Sequence, residues 1–173
     1  MTKRIVLLQA LASTATDLNY ILKGVDDQAN GPVDGWTLND VLTHLIYVEG
    51  RYQERLRRMV EENNPTVPAI LPEDTPLDAT ADTNALLNQF KEARAETVTF
   101  LMSLSPGQWQ RPAVHETTGP TTLRFQVQIL IEHDIEHMNQ IVQLQQATHK
   151  IPARDAQPAV LSYPPGGSEP PGG

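Results

Sequence analysis

Between Thr121 and Lys150, apolar residues return at the spacing of an α-helix. Leu123, Val127, Leu130, Ile131, Ile135, Met138, Ile141 and Val142 fall on one broad stripe when read at 3.6 residues per turn. His133 and His137 sit together along one flank of that stripe, one turn apart. Side chains at i and i+4 on a helix are neighbours, with Cβ atoms ~5–6 Å apart. Two imidazoles at that separation can reach a single metal ion at ~2.0–2.1 Å each.

Three more segments carry helical periodicity. The first spans about Lys3 to Lys23, with Ile5, Leu8, Leu11, Ala15, Leu18 and Leu22 on one face; Gly24 and the polar run to Gly35 end it. The second opens at Thr37, a good N-cap with Asp40 three residues on, an acidic variant of the capping box. Trp36 stands before the cap as a hydrophobic staple, and the helix runs to about Glu62 through Leu38, Leu42, Leu45, Tyr52, Leu56 and Val60. The third spans Asp82 to Leu104, with Leu86, Phe90, Ala93, Thr97 and Leu104 facing in, and Ser105-Pro106-Gly107 stops it. A structured loop, Gln108 to Pro120, then leads to the fourth helix, which starts near Thr121 or Thr122.

Between helices 2 and 3, Asn63 to Ala81 contains Pro65, Pro68, Pro72 and Pro76, which exclude a regular helix. At ~3.3–3.6 Å per residue such a stretch can cross a whole bundle. Antiparallel neighbours need only short loops, so this crossover predicts that helices 2 and 3 run parallel. The expected fold is all-α, a four-helix bundle over residues 1–150. A Pro/Gly-rich tail over 151–173 is expected to be flexible, since it cannot bury enough apolar surface to offset its ordering entropy.

Composition narrows the function. No stretch approaches the ~20 consecutive apolar residues of a membrane span. The start resembles a signal peptide, but its apolar run breaks at Gln9 and a helical pattern continues through it, so a cytoplasmic protein is expected. A net charge of -8 and a pI near 5.0 argue against nucleic acid or an anionic membrane as partner. The chain has no cysteine, so any thiol chemistry must bring its sulfur from outside.

His44 lies on the flank of the helix 2 stripe and is the candidate third ligand beside His133 and His137. Three neutral imidazoles plus an open position is the pattern of a catalytic zinc site. On spacing alone, a core-edge histidine bonded to an ordinary neighbour is an equal alternative for His44. Glu49 and Asp134 project from the middle of apolar stripes and each needs a partner. They are candidate ligand orienters or proton acceptors; otherwise Arg51, Arg55, Tyr52 or a tryptophan N–H pairs with them. His149 reads as a solvated helix-end cation, and His115 as a surface loop residue, with the mouth of a site as its alternative. The run from His133 to His137 also satisfies H-x-x-E-H, but only Asp155 and Glu169 follow as acidic ligands for such a peptidase, both in the tail.

The run Trp36-Thr37-Leu38-Asn39-Asp40-Val41-Leu42-Thr43-His44-Leu45 resembles the W-[ST]-x-x-[DE]-x-x-x-H-[LI] opening of helix 2 in the DinB-like (YfiT-like) metalloenzymes. Leu104-Ser105-Pro106 through Trp109 resembles their helix 3 exit, and His133-x-x-x-His137 followed by Gln140-Ile141 their helix 4 signature. The likeness covers roughly Ile5 to Lys150. It implies a four-helix bundle holding a divalent metal, zinc or nickel, on His44, His133 and His137. It also implies a thiol-dependent S-transferase, isomerase or related hydrolase using a low-molecular-weight thiol such as bacillithiol or mycothiol, often as a homodimer.

On this reading the substrate is a small molecule, and Arg51, Arg55 and Tyr52 are candidates to bind it. The alternative from another class is a non-catalytic bundle that binds a metal or small molecule.

Overall fold

Thr37 begins the second helix as its chemistry dictates. Its Oγ1 accepts from the Asp40 N–H at 3.2 Å, and the Asp40 carboxylate accepts from the Thr37 N–H at 2.8 Å, a complete capping box. Asp82 caps the third helix by accepting from the Ala85 N–H at 2.8 Å. The helices are α1 (Thr2–Ile21), α2 (Leu38–Glu61), α3 (Thr83–Ser103) and α4 (Leu123–Thr148). The computed structural model describes residues 2–22, 35–78 and 81–148; Lys23, His149 and the tail from 151 lie outside the described residues.

Side-chain bonds between helices reveal their directions. Asn39 meets Thr83 near the start of both α2 and α3, and Gln53 reaches the Ala93 carbonyl further along both, so these helices run parallel as the crossover predicts. Arg4 donates to the Leu104 carbonyl and Lys91 to Asn19, which makes α1 antiparallel to α3. Thr14 meets Asp134, and Gln145 meets the Ile21 carbonyl, so α1 and α4 are parallel. Each of α1 and α2 packs against both α3 and α4.

The long connections hold structure that helical periodicity did not reveal. Strands β1 (Thr66–Val67), β2 (Pro112–His115) and β3 (Gly119–Thr122) form a small sheet, β1 parallel and β3 antiparallel to β2. In the β2–β3 turn Gly119 takes φ 81°, a left-handed conformation that glycine adopts without steric cost. Thr121 and Thr122 therefore belong to β3, and α4 starts at Leu123. The sheet clasps the end of α2, where Arg111 donates to the Met59 and Glu62 carbonyls that helix termination leaves open.

Two apolar clusters fill the bundle. One, at the sheet end, gathers Leu56, Met59, Leu101, Trp109, Leu123 and Val127; the other gathers Leu18, Leu38, Leu42, Phe90, Ile141 and Leu144. Between them lies a buried ionic layer. Arg94 of α3, only 1% exposed, donates to Glu49 of α2 at 2.7 and 3.0 Å and to Asp134 of α4 at 2.5 and 3.0 Å. It also donates to the Leu11 carbonyl of α1 at 3.2 Å, so one guanidinium ties all four helices. Thr97 and Thr14 donate to the remaining faces of Glu49 and Asp134.

Removing one member of such a layer strands the others as buried charges. Arg94→Ala should lower the unfolding free energy by about 3–5 kcal/mol. Urea unfolding followed by circular dichroism measures it, and an unchanged midpoint would mean that the layer does not hold the bundle together.

Candidate metal centre

α2 and α4 run antiparallel and face each other across one side of the bundle, with Arg55 bonded to Gln126 at one level and His44 beside His133 at another. His137 follows one turn along α4, and the ligand nitrogens of the three histidines all lie within 4.8 Å of one another. His44 Nε2 and His133 Nε2 are 3.1 Å apart. Two nitrogens bound tetrahedrally at ~2.0–2.1 Å to one zinc lie about 3.3 Å apart, so this spacing fits a shared cation.

The second ring nitrogens of His44 and His137 are each held by a neighbour. His137 Nδ1 lies 2.8 Å from Gln140 Oε1, an oxygen that only accepts, so Nδ1 is the donor there. His44 Nδ1 lies 2.7 Å from Thr75 Oγ1, delivered by the crossover between α2 and α3. His133 Nδ1 is buried without a hydrogen-bond partner among the described residues.

Burial, with the neighbouring His137 second, lowers the pKa of His44 to about 4. Burial, then His137, His44 and Arg94, lowers that of His133 to about 3. Both rings are neutral at pH 7, the form that binds a metal.

The cluster opens on a cavity of about 670 Å³, within the range of small-molecule sites. Trp36 closes one end, its ring edge-on to His44 at 5.0 Å and stacked on His137 at 6.2 Å. Val48, Ile70 and Ile129 give apolar walls, while Glu136, Asn139, Gln140 and Gln143 of α4 give a polar one.

The candidates from the sequence separate into groups. His44, His133, His137, Tyr52 and Arg55 line the cavity together. Arg51 is absent from its lining and pairs with Glu54 at 2.9 Å on the outer face of α2. Glu49 and Asp134 find their partner in Arg94, not in Arg51, Arg55, Tyr52, a tryptophan or a histidine. His115, read from the sequence as a surface loop residue or one lining a site mouth, lines the cavity, where the pairing of β2 with β1 holds it. Thr75, His115 and Gln140 are the neighbours that periodicity did not bring to the site. Only the spacing of Gln140, three residues after His137 on the same helix, hinted at one of them.

The fold is thus a four-helix bundle of mixed parallel and antiparallel neighbours, with three histidines that could hold a metal ion on the wall of a pocket. Residues 7–141 match the DinB superfamily, and the chain belongs to that superfamily. Among solved structures it is similar to YfiT from Bacillus subtilis, described as a probable metal-dependent hydrolase with an unusual four-helix bundle topology. The two share 20% identity with a TM-score of 0.77, over 85% of this chain and 88% of YfiT. A DinB-like protein of Bacillus subtilis, YjoA, aligns with a TM-score of 0.57 and 15% identity, over 84% of this chain and 94% of that one. No curated protein matches the chain.

The lowered histidine pKa values have a consequence for stability. The unfolded chain takes up protons near pH 6.5, while folded His44 and His133 refuse them until about pH 4 and 3. The stability tied to their neutral forms is therefore complete above pH 6.5 and is lost as the pH falls from there toward those values. Chelator-treated protein should show a melting temperature that drops between pH 7 and 5, and His133→Asn should flatten that drop.

Proposed function

We propose that this protein is a divalent-metal-dependent enzyme acting on a small molecule, with zinc or nickel held by His44, His133 and His137. The leading activity is S-transfer from a low-molecular-weight thiol, and hydrolysis is its close relative. The observation that carries the reading is the meeting of three imidazoles from two helices at the floor of a cavity. YfiT, described as a probable metal-dependent hydrolase, supports the metal and the hydrolytic variant. The absence of cysteine supports an external thiol.

A divalent metal on these ligands supplies acidification of a bound thiol or water near neutral pH. The chain's own residues do the rest. Thr75 and Gln140 orient the rings of His44 and His137. Asp134, locked to Arg94, fixes the turn of α4 between the two histidines it carries. Glu49 holds Arg94 from the α2 side. Glu136 lines the cavity and would be the carboxylate of its wall able to take up a released proton, since Glu49 and Asp134 are engaged by Arg94. Trp36 and the apolar walls limit water at the reacting end, and Tyr52 and Arg55 receive the far end of the ligand. The resemblance favours a homodimer; among the described residues no helix is long and apolar enough to cross a membrane.

The test is metal content and turnover together. Purified protein should hold near-stoichiometric metal by mass spectrometry and conjugate a thiol to monochlorobimane, and His137→Ala should lose both. Stoichiometric metal with no turnover under any thiol or ester substrate would define a binding bundle instead.

Thr75→Val should weaken metal affinity by about 10–100-fold, since it removes the group that orients His44. Competition with a chromophoric chelator reads this change, and an unaltered affinity would remove Thr75 from the site.

A further inference from the structure

Arg55 is a buried cation without a counter-charge. It is 5% exposed and lines the same cavity as the histidines. Its Nη1 donates to Gln126 Oε1 at 2.8 Å and its Nη2 to the Pro68 carbonyl at 2.5 Å, both neutral acceptors. Its guanidinium lies over the Tyr52 ring, 4.6 Å from the centroid. Among the described residues no carboxylate comes within ion-pair distance of it. Glu116 acts on it only from further away, with Oε1 committed to the Ala69 N–H at 2.7 Å, and Arg51 nearby adds positive charge.

The contrast with Arg94, which meets two carboxylates at full burial, is informative. Proteins keep buried charges paired, because an uncompensated one is strongly disfavoured. A buried guanidinium served only by neutral acceptors on the wall of a cavity is matched when a ligand brings the anion. His115 lines the same cavity, and burial together with Arg55 lowers its pKa, so it adds no second positive charge and one negative charge suffices.

We propose that Arg55 recognises a carboxylate on the small molecule bound in this cavity, carried at the end of the ligand remote from the histidines. The proposal rests on the metal-enzyme reading only for where the ligand reacts. Arg55 follows His44 by eleven residues along α2, roughly 16 Å of helix axis. Val48, Tyr52, Ile70 and Ile129 line the cavity as well. The ligand is thus elongated, with an apolar middle, a carboxylate at one end and its reacting atom at the other.

Binding to chelator-treated protein tests this without calling on catalysis. Hexanoate and hexanamide, of equal length and shape, are titrated by calorimetry. Hexanoate should bind at least about tenfold more tightly, the difference expected of a hydrogen bond to a charged partner. Arg55→Gln should abolish the preference and Arg55→Lys should keep part of it. His137→Ala should keep it whole while losing metal and turnover, which separates failure of this proposal from failure of the metal reading. Equal affinities in the wild type, no binding of either probe, or an unchanged preference in Arg55→Gln would overturn it; the wild-type comparison stands whether or not a variant folds. Zinc-loaded protein with monochlorobimane then separates the sources. A lower KM for 6-mercaptohexanoate than for 6-mercaptohexanol assigns the carboxylate to the thiol, and equal values assign it to the electrophile.

Discussion

The Arg94 ion cluster is the interaction on which the remainder depends. A guanidinium has five N–H donors, and all of those on Arg94 are used, on two carboxylates and a backbone carbonyl from the three other helices. Apolar packing is non-directional and would tolerate sliding of one helix past another. A fully bonded charge in a dry interior does not, since a shift of one turn would leave three ions unpaired. The layer therefore sets the axial register of the bundle, and it sits between the two apolar clusters where such a register lock acts on both.

The histidine cluster follows from that register. Asp134 is bonded to Arg94, and its chain neighbours in the same helix carry His133 and His137 to the α2 side. Glu49, one and a half turns beyond His44, is held by the same guanidinium, so α2 presents His44 at the matching level. The layer thus acts beyond its own contacts, because it aligns three histidines whose rings it does not bond. The crossover adds a second use of the topology. By running α2 and α3 parallel, the fold must return the chain along the bundle, and Thr75 on that return stands behind His44. The small sheet does likewise for His115.

The cavity that results is chemically polarised along its length. At one end stand neutral imidazoles under an aromatic cover; further along α2 is a cation held by neutral groups. The two ends differ because burial pushes histidine toward its neutral form, whereas arginine stays charged in any protein environment.

Much of this was legible in the residues. The helices, the Thr37 capping box, the parallel course of α2 and α3 and the His133–His137 pair follow from local periodicity, cap chemistry and proline content, whereas the resemblance to the DinB-like helix 2 opening is what favoured His44 as their third member. Glu49 and Asp134 were legible as buried charges needing a partner, but the partner was not. Arg94 looks like any helix-surface arginine in one dimension, and only small neighbours such as Ala93 and Thr97 hint that a long side chain fits there. The sheet escaped because a two-residue strand paired with a short hairpin has no periodicity of its own; the pairing partners are distant in the chain. The amino-acid order by itself thus determined which segments are helical and that His133 and His137 share one helix face, since those depend on spacing along one helix. Which charges neutralise one another, which loop residues stand behind the ligands and which arginine is left without a partner were decided by tertiary packing alone, because each depends on distances between residues that the chain does not place side by side.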